Sequence, residues 1–345
     1  MNIQCPLPAT NKDSIRLGHG SGGEMTQQLL NDFIQPLFKN TWIDQAHDSA
    51  TLPWHSDRLV FTTDSFVITP LFFPGGDIGK LAVYGTVNDL AMGGAEPKFL
   101  SCSLILEEGL PLSTLKRVLE SMAAAAEETG TKLVTGDTKV VERGKGDGIY
   151  INTSGVGTLL SDHPLDPSYI RPGDRILLSG DIGRHGIAVM ASREGLEFES
   201  ALSSDCAPLN NAVKALLQGG VEIHCLRDLT RGGLTTALVE LAETSGRAFE
   251  LYEEQIPVCE SVQGACEMLG LDPLYVANEG RFVAVIPEEY ADQAIAILGE
   301  DPVGASCAII GQVSDNPSCQ VTLKNSLGCD RLLQRLPGEQ LPRIC

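Results

Sequence analysis

The sequence predicts an α/β (α+β) fold in two domains, from three observations. β-rich and helical runs alternate along the chain, a polar stretch with three prolines interrupts the alternation at 161–174, and 345 residues exceed what one hydrophobic core usually organises. The expected divisions are a first domain over 1–160, a linker over 161–174, a second domain over 175–336 and a mobile tail over 337–345.

Leu59 to Phe66 reads as a strand, Ile78 to Met92 as a helix and Lys98 to Leu106 as a strand. Leu112 to Thr129 has helical apolar spacing with an alanine run, Lys132 to Thr135 is a short strand, and Ile149 to Leu160 another. Beyond the linker, Arg175 to Ser179 is a strand, Gly186 to Arg193 and Asn210 to Gln218 are helices, and Gly232 to Thr244 is a helix opened by two glycines. Arg281 to Ile286 is strand-like before a helix from Glu288 to Leu298, and Asp330 to Leu336 suggests a last helix stopped by Pro337 and Pro342.

A net charge of -20 disfavours sequence-independent binding to nucleic acid or anionic membranes, so an anionic ligand needs a cation or backbone N–H groups. No window approaches the ~18 apolar residues of a membrane span. Met1 to Asp13 lacks a basic and an apolar leader region, so a cytoplasmic address is expected. The ten cysteines show no C-x-x-C spacing and read as reduced thiols, mostly small core residues.

Gly18 to Gly23 reads Gly-His-Gly-Ser-Gly-Gly, the glycine spacing of both G-x-G-x-x-G and a P-loop. A P-loop requires Lys and then Ser or Thr behind the last glycine, where this chain has Glu24 and Met25. A dinucleotide fingerprint leaves a buried apolar strand, and Asn11 to Arg16 is mostly polar. What remains is either a plain glycine-rich loop or a run of N–H groups (Gly20, Ser21, Gly22, Gly23) suited to phosphate, leading into a helix near Glu24. His19 either hydrogen-bonds that phosphate or is a satisfied structural histidine.

Five aspartates fall at strand ends or in turns: Asp48 in His-Asp-Ser-Ala, Asp64 in Thr-Thr-Asp-Ser, Asp89 in Val-Asn-Asp-Leu-Ala, Asp137 after a strand in Gly-Asp-Thr-Lys, and Asp228 in Arg-Asp-Leu-Thr-Arg-Gly-Gly. Singly, each reads as a cap or turn residue. As a set beside a glycine loop they read as hard oxygen ligands for magnesium carrying phosphates. Asp48, Asp64, Asp89 and Asp228 form that set, with Asp137 as a fifth candidate.

These motifs, in this order, resemble an ATP-dependent superfamily that includes aminoimidazole ribonucleotide synthetase and selenophosphate synthetase. The resemblance runs from Leu17 to the last residue and is closest to the HypE family of hydrogenase maturation. It implies mixed sheets flanked by helices, a homodimer built through the N-terminal domains, and ATP with Mg2+ near the acidic strand ends. ATP would contact the glycine loop from His19 to Gly23 together with Thr63, Asp64, Asn88, Asp89 and Asp137. Glu279, in Ala-Asn-Glu-Gly-Arg, and Lys139, in Gly-Asp-Thr-Lys, stand where the family has its catalytic pair; without the resemblance they read as a strand-end carboxylate and a surface lysine.

The ending Pro-Arg-Ile-Cys also resembles that family's terminus, which makes Cys345 the carrier of the reacting group, with Arg343 placed to favour its thiolate. The resemblance implies that the carbamoyltransferase HypF loads a carbamoyl group onto the Cys345 sulfur. ATP then phosphorylates the amide oxygen so that phosphate leaves, a thiocyanate forms, and cyanide passes to iron on the HypC–HypD complex for [NiFe]-hydrogenase. Two alternatives share the aspartates and the loop: phosphoryl transfer to a small molecule, as in selenophosphate synthetase, and a non-catalytic nucleotide-dependent assembly scaffold.

Overall fold

The computed structural model describes residues 13–336 except 22, 46–48, 57, 162–164, 196–201, 317 and 326. Gly22, Asp48, Arg343 and Cys345, with the whole of 337–345, lie outside the described residues.

After a short helix α1 (Glu24–Leu29), the first sheet is built from β1 (Leu59–Phe66), β4 (Ala95–Glu107), β5 (Lys132–Val141) and β6 (Ile149–Leu159), in the order β1-β6-β4-β5. A two-stranded hairpin, β2 (Phe72–Phe73) and β3 (Gly76–Asp77), leads into helix α2 (Ile78–Met92). Helix α3 (Leu112–Glu128) makes the β4–β5 crossover, so that pair is parallel while the other pairs are antiparallel. Its buried residues, Leu115, Val118, Leu119, Met122, Ala125 and Ala126, recur at helical spacing and form one stripe that packs mainly on α2. On β4, Leu100, Cys102, Leu104 and Leu106 turn inward while Ile105 stands 40% exposed on the outer face.

The second sheet has seven strands. They are β7 (Arg175–Leu178), β8 (Cys225–Asp228), β9 (Ala248–Tyr252), β10 (Phe282–Ile286), β11 (Ala308–Ser314), β12 (Val321–Lys324) and β13 (Asp330–Leu333), in the order β13-β12-β9-β11-β7-β10-β8. All five residues of β10 are buried because the sheet is covered on both faces. Val283 and Val285 pack with helix α6 (Gly233–Ser245); Phe282, Ala284 and Ile286 pack with α5 (Asn210–Gln218) and α8 (Ala291–Leu298). Helices α4 (Arg184–Glu194) and α7 (Glu260–Leu269) form a smaller cluster through Ile187, Val262 and Cys266.

Two sequence expectations are corrected. The strand expected over Lys132 to Thr135 continues to Val141, because β5 keeps pairing in parallel with β4; Asp137 and Lys139 therefore lie within a strand. The helix suggested by Asp330 to Leu336 is the strand β13, whose Asp330 to Leu333 pair antiparallel with β12, so sheet pairing overrides a helix-compatible composition.

Helix α2 joins the halves. Thirteen of its fifteen residues are buried, since α3, the first sheet and the second half of the chain all pack on it. Gly85 lets it close on β1, where a Cβ would stand 2.8 Å from the Phe66 ring. Asn88 faces the second half: its Oδ1 accepts the buried Leu209 N–H at 2.8 Å and its Nδ2 donates to the Ala207 carbonyl at 3.1 Å. Asn88→Ala strands those groups, so a loss of about 2 kcal/mol is expected, read as a Tm lower by several degrees. An unchanged Tm would show that this clasp adds nothing to stability.

Candidate functional site

A cleft of about 400 Å³ opens where the edge strands of the two sheets meet. From the first sheet come Thr63, Asp64, Ser65 and Phe66 of β1; Gly85 and Asp89 come from α2. From the second half come Arg227 and Asp228 of β8, Thr230 and Arg231, the first turns of α6 with Thr236, Ala237 and Glu240, and Glu279 just ahead of β10. Strand alternation aims Asp64 at the same side as Thr62 and Phe66, toward α2. Asp228 pairs with Phe282, which fixes its distance from the Glu279 segment. Helix α6 opens on Gly232 at φ 72° without a side-chain cap, which leaves its N-terminus favourable to anions.

Four carboxyls therefore share a sheltered space. Burial raises the Asp64 carboxyl above its ordinary range, against the Ser65 N–H at 2.7 Å and Arg231. Burial and the Asp64 charge raise Asp89, opposed by the Thr62 hydroxyl, which donates to it at 2.9 Å. Asp228 is pushed up to about 7 by burial and by the Asp89 and Asp64 charges, with Arg227 opposing. Glu279 lies well above the carboxylate range, first through burial and then through Asp228, Asp205 and Asp64. The lining cations stay near the surface: Arg227 is 49% exposed and pairs with Glu240 at 2.7 Å, and Arg231 is 74% exposed and 3.8 Å from Asp64.

Among the described residues no three His, Cys, Asp or Glu side chains stand close enough to enclose a metal ion as they are. The donor chemistry nevertheless fits a hard divalent cation. Burial, and for Asp89, Asp228 and Glu279 the neighbouring carboxyls, raise these acids above their ordinary range, and a cation in the cleft would offset both.

The sequence-expected residues divide into two groups. Asp64, Asp89, Asp228 and Glu279 come together in the cleft, with Thr63 at its wall; the Thr63 Oγ1 donates to the Thr153 carbonyl at 3.2 Å and accepts from Ser154 at 2.9 Å. The glycine loop packs instead on β5, at the other edge of the first sheet, so closely that a Cβ on Gly20 would stand 2.7 Å from the Val140 nitrogen. His19 is buried there; its Nδ1 accepts the Arg16 N–H at 2.9 Å, and burial lowers its pKa, the geometry of a satisfied neutral histidine. Ser21 donates to the Gly18 carbonyl at 2.9 Å, and Gly23 caps α1. Asp137 and Lys139 pair at 2.8 Å on the exposed edge of β5, away from Glu279. Asn88 does not line the cleft, its amide being committed to main-chain groups.

The sequence reading missed Arg231, Thr236 and the buried Asp205 behind Glu279. The Arg-Gly-Gly pattern held a signal for the first two: a helix opened by two glycines at positive φ exposes its first turn to the cleft. For Asp205 there was no local signal.

The sign of the Asp228 shift gives a stability test. A folded-state pKa raised toward 7 means that the folded protein binds more protons than the unfolded chain between about pH 4 and 7, so its contribution to stability falls as pH rises. In chelator-treated protein, Asp228→Asn should raise Tm by a few degrees at pH 8, with the gain shrinking toward pH 5. A gain independent of pH would contradict the shift.

Two family models cover most of the chain: AIR synthase related protein, N-terminal domain, over residues 46–159, and AIR synthase related protein, C-terminal domain, over 171–324. Carbamoyl dehydratase HypE of Azotobacter vinelandii is 51% identical over 332 residues, 96% of this chain and 97% of that protein. The crystal structure of hydrogenase maturation protein HypE in complex with ATP matches with a TM-score of 0.92 at 47% identity, covering 95% of this chain and 99% of that one. A chain from the crystal structure of a HypE–HypF complex matches with a TM-score of 0.79 at 45% identity, covering 91% and 100%. With half its residues identical to such a relative over nearly its whole length, the chain belongs to the HypE family, whose named members include the carbamoyl dehydratases of hydrogenase maturation.

Proposed function

We propose that the protein dehydrates an S-carbamoyl group on Cys345 to a thiocyanate with ATP, supplying cyanide for the iron of [NiFe]-hydrogenase. The observation that carries the reading is the convergence of Asp64, Asp89, Asp228 and Glu279 on one cleft between the two sheets. The named activity of the relatives, the ATP bound in one solved HypE and the HypF bound in another support it.

A carbamoyl amide does not lose its oxygen unaided. Transfer of the γ-phosphoryl group to that oxygen forms a P–O bond, releases ADP and makes phosphate the leaving group. Loss of both nitrogen protons as the C–O bond breaks leaves the nitrile carbon on sulfur. Glu279, buried against the cleft and acting in its ionised form, takes one of the two nitrogen protons, and the other leaves with the departing phosphate. Asp64, Asp89 and Asp228, with Asp48, would hold Mg2+, which when bound neutralises charge on the transferring phosphoryl group. The first turn of α6 and Arg231 face the same anion.

HypF is the donor partner and HypC–HypD the acceptor of the cyanide. We place the protein in the cytoplasm; no helix among the described residues is long and apolar enough to cross a membrane. A homodimer is favoured by the outer face of the first sheet, where Leu59, Phe61 and Ile105 are 53%, 62% and 40% exposed. That face bears on Lys139. Within one chain β5 and β1 are separated by two strands, about 14 Å between the edges, so pairing Lys139 with Glu279 calls for a second copy.

The deciding experiment is intact-mass and C-terminal peptide analysis after incubation with carbamoyl phosphate, HypF and ATP, with Cys345→Ala as control. A carbamoyl adduct on Cys345 that loses one water on addition of Mg-ATP is expected; ATP turnover with Cys345 unmodified would overturn the carrier role. The intersubunit pairing has its own test. Lys139→Ala and Glu279→Gln, each inactive alone, should regain about a quarter of wild-type activity when mixed and allowed to exchange subunits, since half of the dimers then carry one intact site. A mixture as inactive as its components would rule the pairing out.

A further inference from the structure

Asp205 stands directly behind Glu279. It lies in the irregular segment between α4 and α5 and is only 7% exposed. Its Oδ1 accepts the Glu279 backbone N–H at 3.2 Å, while its Oδ2 is buried with no hydrogen-bond partner among the described residues. Gly280 follows so closely that a Cβ there would stand 2.0 Å from the Asp205 carbonyl oxygen and 3.0 Å from the Ala207 nitrogen. On the other side of the same residue, Asn88 Nδ2 donates to the Glu279 carbonyl at 3.4 Å.

Both main-chain polar groups of Glu279 are thus held from outside its own loop. The holding segment is itself tied at each end: the Ser204 N–H donates to the Pro74 carbonyl at 2.9 Å, and the Leu209 N–H donates to Asn88 Oδ1 at 2.8 Å. A buried carboxylate with one oxygen unpartnered is a costly way to accept one N–H, so folding alone gives no reason for it. Catalysis does. A general base has to stand within about 3 Å of the proton it takes, and a displacement of order 1 Å costs roughly 100-fold in rate.

We propose that Asp205 is a positioning residue for the dehydration, holding the Glu279 main chain from behind and so fixing where the Glu279 carboxyl stands in the cleft. This rests on the reading of Glu279 as the proton acceptor. The full-length protein, carbamoylated on Cys345 by HypF, is mixed with Mg-ATP, and single-turnover loss of water, ATP affinity and Tm are recorded for Asp205→Ala, Asp205→Asn and Glu279→Gln. Asp205→Ala should slow dehydration roughly 10- to 100-fold with ATP affinity within about twofold of wild type, and Asp205→Asn, whose Oδ1 accepts the same N–H, should recover most of the rate. Dehydration at the wild-type rate in Asp205→Ala, or a fall in ATP affinity matching the fall in rate, would overturn the proposal. Should Asp205→Ala not fold, Asp205→Ser replaces it, because its shorter hydroxyl ends short of the Glu279 nitrogen. Glu279→Gln separates the two readings. Wild-type dehydration there removes the acceptor role and this proposal with it, whereas a dead Glu279→Gln beside a fast Asp205→Ala removes the proposal alone.

Discussion

A helix with almost no solvent face is the constraint on which the rest of the molecule depends. A surface helix needs one apolar stripe; α2 is covered by the first sheet, by α3 and by the second half, so it must be apolar or small nearly all round. Its glycines follow from that: Gly79 stands against the α3 backbone, where a Cβ would be 2.5 Å from the Val118 carbonyl, and Gly85 against Phe66. Its polar residues follow as well, since each one buried there needs a partner. Asp77 caps the start by accepting the Gly79 and Lys80 N–H groups. Asn88 and Asp89, adjacent in sequence and pointing apart, reach the second half and the cleft. Two neighbouring residues thereby tie the seam between the halves to the acids that lie along it.

The cleft collects charge that folding alone would not gather. Asp64 and Asp228 come from edge strands, where a chain can carry polar side chains without interrupting a sheet, while Asp89 comes from α2 and Glu279 from the segment ahead of β10. Burial raises all four, and neighbouring carboxyls add to it for Asp89, Asp228 and Glu279, so the arrangement is destabilised at neutral pH relative to one with amides in their place. That penalty is tolerable in a chain with two large hydrophobic cores, and it marks the acids as a site, because a structural role would have paired them with buried cations. The chain can do this: Asp181, also buried, is paired with both Arg281 and Arg184, and its pKa is held low.

Alternation and helical spacing located β1, α2 and the long helices because each buries one periodic face, or all of it. Those signals end where pairing decides. β5 continues through Gly-Asp-Thr-Lys because β4 continues beside it, and β13 is a strand because β12 offers it an edge. The acids were legible as motif aspartates, but motif order does not say which of them meet. Asp137 and the glycine loop belong to one edge of the first sheet, Asp64 and Asp89 to the other, and only the sheet order β1-β6-β4-β5 reveals that separation. Asp205 was illegible for the same reason: a lone aspartate in an irregular segment has meaning only once Glu279 is seen to lean on it.

If it takes up a nucleotide, as proposed, a chain of net charge -20 must solve an electrostatic problem, and the cleft contains the elements of a solution. Two unit charges 4 Å apart interact by about 4 kcal/mol near a protein surface, so bare triphosphate facing four carboxylates would be expelled if all were ionised. Two features reduce that repulsion. Burial and the neighbouring acids push Asp228 up to about 7 and raise Glu279 above the carboxylate range, which lowers the negative charge of the cleft, and Arg227, Arg231 and the α6 N-terminus supply positive potential at its mouth. Asp64, Asp89 and Asp228, were they to hold a cation as proposed, would do so in the ionised form, which would reverse the balance. On the proposed reading, nucleotide with its cation would be favoured over nucleotide alone, and Glu279, which that reading leaves out of the ligand set, would be the acid that exchanges protons with the substrate.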